Sequence, residues 1–347
     1  MKLRSDRFKD DGKLMLKMVI NSLMRRNSEH EEITAVSEGN NMVYGEKEVQ
    51  RVVKEFYEGW MATRVNVEQR YDSWEDMLEV DSTKLKHDRH QRLIKEAYEE
   101  SGRKHKALQQ EKKIWDRIRN ATSLREVKQA IQAMKKGTSP GPTGITYDML
   151  GMMADEHLAP LVEIINKSLV TGSVEQEMNR SLMRPLPKTD QGLAELSKTR
   201  PIALMETTLK LLEKIMFDRI LGVITENDML RKEQHGGLAN RSAKAPIRTL
   251  TEIIEDSIAT GKELHVFSAD ISKAFDSLEY WSQALGWSAL GMPPDLVKML
   301  VEMDSGGETA VILGQGRTTD WYKSGRGVRQ GSIGGPIKWV VFINFWL

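Results

Sequence analysis

The spacing of apolar positions divides the chain near Thr122. Upstream, the sequence is highly charged and reads as mostly helical. In EKEVQRVVKEFYEGW, Val49, Val52, Val53, Phe56 and Trp60 recur at the three- and four-residue interval of a helix with one apolar stripe. From Lys84 to Asn120 only sparse apolar residues, such as Leu93, Ile94, Tyr98, Leu108, Ile114 and Trp115, interrupt a polar run. That pattern fits either exposed helices packed along one stripe or a partly mobile extension. Downstream, Ser123 followed by Glu126 forms a capping box. Leu124, Val127, Ala130, Ile131 and Met134 then mark one face of a short helix that ends in Lys135-Lys136-Gly137. A Gly- and Pro-rich loop, TSPGPTGIT, follows. The pattern predicts helices over His157–Val170, Glu206–Ile224 and Ala243–Ala259, and a buried apolar helix from Ile337. It predicts a buried strand over Leu264–Ala269. Thr309–Leu313 and Thr319–Lys323 read as edge strands of a hairpin turning at Gly314–Gly316.

Composition narrows the class. The 347 residues suffice for two domains, and 29% charged with 39% hydrophobic residues is ordinary for a soluble globular protein. The net charge of +1 announces no polyanion partner for the chain as a whole. The first 26 residues hold eight lysines and arginines against three aspartates, which is either a basic arm for nucleic acid or a solvated helix face. There are no cysteines, so disulfides and cysteine-based zinc sites are excluded. No apolar run reaches the roughly 18 residues of a membrane span, and no signal-peptide pattern opens the chain. The expectation is an intracellular protein, nuclear or cytoplasmic, with no membrane partner.

The candidate chemistry centres on LHVFSADISKAFDSL, residues 264 to 278, where an apolar run leads into Asp270. A carboxylate at the end of a buried strand needs a positive partner. Asp270 is either a magnesium ligand or the N-cap of the segment Ile271–Asp276. Asp276 is either a second ligand or a local cap, and the structural role is favoured. Phe275 is either core or an aromatic placed under the sugar of an incoming nucleotide, where a bulky ring would exclude a 2′-hydroxyl. Lys188 and Arg200 flank a linker beside apolar segments and suit triphosphate oxygens, unless they are solvated loop cations. Gln330, between Gly327 and Gly331 in GRGVRQGS, can both donate and accept hydrogen bonds. Arg326 and Arg329 beside it could contact phosphates. The loops holding Gly141 and Gly144, and Gln234 and Gly236, offer close approach to a nucleic-acid backbone.

The ordered series KGTSPGPTGIT, LPK with TRPIALMETTLKLLEKIMFDRI, QHGG, DISKAFDS and GVRQG resembles the reverse transcriptase family. The nearest types are those of non-long-terminal-repeat (non-LTR) retrotransposons and group II introns. The resemblance runs from Leu124 to Leu347. It implies an α+β fold: polymerase right-hand fingers over 121–260 and a partial palm over 261–347, preceded by a charged helical N-terminal extension over 1–120. By the same resemblance, Asp270 is the first catalytic metal ligand, with the Ile271 carbonyl beside it. Phe275 is the steric gate. Lys188 and Arg200 hold the triphosphate. Gln330 and Gly331 face template and nucleotide. Gly141, Gly144, Gln234, Gly236 and Arg329 contact template or primer. The implied partners are an RNA template, a DNA primer and dNTPs. Two Mg²⁺ ions are implied in the complete enzyme. Four positions depart from the family pattern: Thr143 for Asp, Gly237-Leu238 for Gly-Phe, Ser332 to Pro336 for DPLSP, and Trp339 for Phe. They suggest a divergent or decaying copy.

The family's aromatic-x-Asp-Asp hairpin is expected some tens of residues after Pro336, and the chain reads as stopping before it and before the thumb. The hairpin would pair beside Leu264–Ala269, so without it that segment is expected to expose apolar surface. Three functions compete: an RNA-directed DNA polymerase seen in part, a non-catalytic maturase-like RNA-binding protein, and a defective product. With a single metal-binding carboxylate, the 347-residue chain is expected to give no primer extension on a primed RNA. Incorporation of dNTPs that Asp270→Ala abolishes would overturn this expectation.

Overall fold

The computed structural model describes residues 32–39, 41–63, 100, 113–188, 193–238 and 241–346. The expected basic arm and most of the polar stretch from Lys84 lie outside the described residues. A hairpin of β1 (Ala35–Glu38) and β2 (Asn41–Tyr44) leads into α1 (Glu46–Trp60). The short α2 (Lys113–Asp116) is followed by α3 (Leu124–Ala133), α4 (Tyr147–Met152) and α5 (Asp155–Thr171). Strands β3 (Arg180–Pro187) and β4 (Thr199–Met205) come next, then α6 (Thr207–Glu226), α7 (Lys244–Thr260), α8 (Tyr280–Ala289) and α9 (Pro294–Ser305). β5 (Glu308–Gly314), β6 (Arg317–Thr318), β7 (Tyr322–Lys323) and α10 (Gly335–Trp346) complete the described chain. Helices and a mainly antiparallel sheet make an α+β fold, as the resemblance implies.

The sheet runs in the order β4-β3-β5-β6, with β7 also on β5. β3 is antiparallel to β4 and parallel to β5. Strands from the segments expected as fingers and as palm therefore share one sheet. β5 corrects one expectation: it is an interior strand, not an edge, because β3 covers the side that β6 and β7 leave open.

Two cores hold the fold. The larger gathers α3, α5, α6, α8, α9 and α10 around Leu211, Leu212, Ile215, Trp287, Val297 and Leu300. α6 is apolar nearly all round, as a helix crossing a core must be. Lys338 of α10 and Asp304 of α9 are both buried there and pair at 2.7 Å, each supplying the countercharge the other needs out of water. In the smaller core Val36, Val49, Val53 and Tyr57 pack on Met183, Val311, Leu313 and Tyr322. The 32–63 segment is thus part of the sheet's packing. The expected helix around EKEVQRVVKEFYEGW is present as α1, and the Ser123 cap of α3 accepts from the Glu126 amide. Beside the helix expected there, the described N-terminal residues also form the β1–β2 hairpin, which sequence reading did not anticipate. Its turn includes Gly39 at φ 62, a conformation glycine adopts at no cost.

Leu264–Ala269 is not a buried strand. Residues 262–271 have no regular structure, and 264–271 are exposed. No described residue offers a ladder partner, and a strand lacking one loses the cross-strand bonds that define it. Phe267 is 92% exposed. The expectation that an unpaired segment would show apolar surface matches this arrangement. α7 shares it: the 17-residue helix buries no residue, leaving Ile247, Ile253, Ile254 and Ile258 open. The two burial states predict different costs. Ile215→Ala should lose about 2–5 kcal/mol, as buried isoleucine truncations do. Ile254→Ala should stay within about 0.5 kcal/mol, as surface changes do. Urea denaturation of the two variants checks this, and comparable losses would mean that the α7 stripe is covered.

Candidate nucleotide and nucleic-acid site

β3 and β4 alternate between two faces. Ser181, Met183 and Pro185 of β3 and Thr199, Pro201, Ala203 and Met205 of β4 are buried. The other face carries Leu182, Arg184 and Leu186 opposite Leu204, Ile202 and Arg200. Arg200 is exposed at the hairpin end of this face. Lys188 follows Leu186 at the same parity, its amide bonded to the Lys198 carbonyl at 2.9 Å. The alternation thus sends the two expected triphosphate cations to one side of one hairpin. Arg184 lies on the same face, half-buried, with no partner for its Nε, and burial holds its pKa down. Sequence reading passed over it. The signal was there in RSLMRPLP, where an arginine sits in register with apolar positions.

The glutamine loop docks on this hairpin. The Ala203 amide donates to the Gln330 carbonyl at 2.8 Å, and Ile202 and Gln330 form a parallel bridge. Gly331 sits at φ 149, and a Cβ there would lie 2.2 Å from the Ala203 carbonyl oxygen, so no side chain fits. Gln330 Nε2 donates to Asp276 Oδ1 at 2.9 Å. The Val328 amide bonds the Phe275 carbonyl at 2.9 Å and the Gly327 amide the Leu278 carbonyl at 2.8 Å. The DISKAFDS turn, the GVRQG loop and β4 therefore form one bonded unit.

Asp276 is buried at the centre of that unit. Burial raises its pKa, while Gln330, the Trp60 indole and the charges of Lys273 and Lys188 pull it back. The structural role favoured for this residue fits its position. The Phe275 ring is half-buried and stacks against Trp339 at 6.0 Å between centroids. Ring packing and a sugar-facing edge are both compatible with that placement.

Asp270 corrects the sequence expectation. It is exposed, it follows the unpaired 264–269 segment, and it makes no ion pair with any described residue. Ile271 beside it is 48% exposed. Among the described residues no three His, Asp or Glu side chains converge to hold a metal. The described residues bring no cluster of carboxylates to Asp270, so the donors present do not fit the two ions expected.

The basic residues of the glutamine loop turn inward. Arg329 donates to the Asn179 carbonyl, to Asn179 Oδ1 and to the Met303 carbonyl at 2.6–3.0 Å. Arg326 is buried and donates to the Trp60 carbonyl at 2.9 Å. The expected phosphate contact by Arg329 is thereby corrected. Main-chain acceptors at the start of β3 and the end of α9 use its fork.

The 138–146 loop is held from behind. A Cβ on Gly141 would lie 2.6 Å from the Glu206 amide nitrogen, so its close approach is to the β4–α6 junction. Gly144 adopts φ 79. Thr143 donates to Glu206 through its amide at 2.7 Å and its hydroxyl at 2.6 Å. Ser332 and the Ile333 amide likewise donate to Glu213 at 2.7 and 2.8 Å. Both glutamates are buried on or beside α6 and were missed from sequence. A carboxylate inside the apolar run LKLLEKIMF was the available signal. Gln234 is buried, with its carbonyl accepting from Arg241 at 2.6 Å, while Gly236 is open to solvent.

The raised pKa of Asp276 has a sign. A carboxyl whose folded pKa exceeds its ordinary 3.8 destabilises the fold when ionised. That cost is full above the folded pKa and disappears below the unfolded one. Asp276→Asn should therefore be more stable than the parent at neutral pH. The advantage should shrink as pH falls toward the ordinary aspartate range. Denaturant titrations from pH 4 to 7 measure it, and a constant difference would refute the assignment.

The reverse transcriptase (RNA-dependent DNA polymerase) family matches residues 186–347. The transposon TX1 uncharacterized 149 kDa protein of Xenopus laevis is 24% identical over 216 residues, covering 62% of this chain and 16% of that protein. The RNA-directed DNA polymerase from mobile element jockey of Drosophila melanogaster is 22% identical over 225 residues, 65% of this chain and 24% of that protein. The retrovirus-related Pol polyprotein from type-1 retrotransposable element R2 of Nasonia vitripennis is 26% identical over 228 residues, 65% of this chain and 20% of that protein. The chain thus spans between 16% and 24% of the length of these relatives. Enzymes of this family generally use divalent metals. No helix among the described residues is long and apolar enough to cross a membrane. Residues 186–347 thus match the reverse transcriptase family, and the relatives that share this similarity are proteins of mobile elements.

Proposed function

We propose that this chain is the fingers (121–260) and partial palm (261–347) of an RNA-directed DNA polymerase, with residues 1–120 as its extension. The complete enzyme would act in the nucleus or cytoplasm on a primed RNA with dNTPs and Mg²⁺. In that reaction the primer 3′-hydroxyl oxygen bonds to the α-phosphorus of the dNTP. The bond to the pyrophosphate oxygen breaks, and the hydroxyl proton passes to solvent. Lys188 and Arg200 would bind the triphosphate, the Phe275 ring would lie against the sugar, and Gln330 and Gly331 would face the template-paired base. One observation carries this reading: Gln330 is bonded at once to β4, two residues from Arg200 in register, and to the turn that bears Phe275. The Lys188 charge acts on Asp276 in the same turn.

The isolation of Asp270 favours a second reading, a non-catalytic protein that grips RNA by backbone charge. Titrating a fluorescent deoxynucleoside triphosphate into the chain with an RNA–DNA hybrid separates the two. The polymerase reading expects Arg200→Ala and Lys188→Ala each to weaken triphosphate binding about tenfold to a hundredfold, the size of a charged hydrogen bond. Hybrid binding that falls steeply with salt, with no triphosphate binding, would leave the RNA-binding reading standing alone.

A further inference from the structure

Helix α1 lies outside the segment that matches the family, yet its last turn touches each part of the candidate site. The Tyr57 hydroxyl is buried 2.6 Å from Thr199 Oγ1. Thr199 already donates to the Leu196 carbonyl at 2.7 Å, so Tyr57 is the donor of the pair. Thr199 immediately precedes Arg200. Three residues beyond Tyr57, the face of the Trp60 ring carries the Lys273 ammonium 3.2 Å from its centroid. Lys273 holds a left-handed φ of 54 in the turn between Asp270 and Phe275, a strained conformation for a lysine. The Trp60 carbonyl accepts from buried Arg326, and the Met61 carbonyl from the Gly325 amide at 2.8 Å. Thr63 Oγ1 donates to Glu279 Oε2 at 2.9 Å, just past the same turn. One helix end thus meets the base of the Arg200 hairpin, the Lys273 turn and the entry to the glutamine loop.

We propose that Tyr57 and Trp60 are positioning residues that set the Arg200 hairpin, the Lys273 turn and the glutamine loop in register for a nucleoside triphosphate. The ligand class rests on the function proposed above; the positioning does not. The three segments arrive from distant parts of the sequence, and on the far side the glutamine loop joins the other two through Gln330 and the Gly327 and Val328 amides. Trp60 closes the near side. Its ring spreads the Lys273 charge over an aromatic face and supports the strained turn from below. Tyr57 ties the strand that bears Arg200 to the same helix.

Hydrogen exchange on the 347-residue chain tests this. Trp60→Leu removes the ring face, Trp60→Phe keeps one, and Tyr57→Phe removes only the hydroxyl. The Ser277 amide closes the turn on the Lys273 carbonyl, the Gly327 and Val328 amides bond the loop to it, and all three report on it. Trp60→Leu should speed their exchange by about threefold to thirtyfold, the size of a desolvated cation–π contact, with α6 unchanged. Trp60→Phe should restore most of the protection. Tyr57→Phe should loosen the amides around Thr199 and leave the turn alone. In the same samples Trp60→Leu should weaken triphosphate binding about as much as it loosens the turn. Uniform acceleration that includes α6 would show a merely structural role and overturn the proposal. So would unchanged exchange at the three amides, or undiminished triphosphate binding in Trp60→Leu when Arg200→Ala abolishes it. If Arg200→Ala has no effect on triphosphate, the nucleotide reading falls, and the local exchange pattern alone decides whether the three segments are positioned by α1.

Discussion

The site depends on the double engagement of Gln330. Its carbonyl accepts from Ala203 in β4, and its side-chain amide donates to the buried carboxylate of Asp276. A buried carboxylate without a donor is costly, and a hydrogen bond to a charged group contributes about 1.5–3 kcal/mol. Replacing the glutamine side chain therefore takes one donor from Asp276, while the main-chain bond to Ala203 stays. The backbone must come close enough for both bonds. That is why Gly331 packs against the Ala203 carbonyl at a distance no Cβ tolerates.

Behind this unit, α6 provides two acceptors. Glu206 takes the amide and hydroxyl of Thr143, and Glu213 takes the hydroxyl of Ser332 and the amide of Ile333. Both hydroxyl residues occupy positions that depart from the family pattern. An aspartate at either would set two carboxylates face to face in a buried setting, with repulsion and desolvation acting together. Thr143 and Ser332 instead donate. Two departures that suggested decay in the sequence are thus each satisfied in the fold, and they anchor separate loops to one helix.

Local signals were read well. The Ser123 cap, the α1 stripe, the extents of α5, α6 and α7, and the β5 hairpin follow from periodicity and turn residues within a few positions. Partners distant in sequence were not. Nothing near Arg329 announces that its fork closes on Asn179 and Met303, because both acceptors are main-chain or turn groups brought in by folding. Nor does Tyr57 announce Thr199, which lies 142 residues away. The strand expected at Leu264–Ala269 failed for a related reason. Apolar alternation encodes a preference for extended backbone, whereas a strand exists only when a neighbour supplies its ladder. The DISKAFDS motif that carries part of the resemblance begins only after this segment, at Asp270.

That contrast divides the site into two halves with different physics. The half around Gln330, Asp276 and the β3–β4 hairpin is fixed by bonds within the chain. The half around Asp270 is not: its carboxylate is exposed and makes no ion pair with any described residue. Moving it into a metal-binding position would require a second carboxylate to share the cation and a strand to cover the apolar side chains of Leu264, Val266 and Phe267. A strand laid along 264–271 meets the second need, because its ladder bonds would bury the apolar residues while fixing the direction of Asp270.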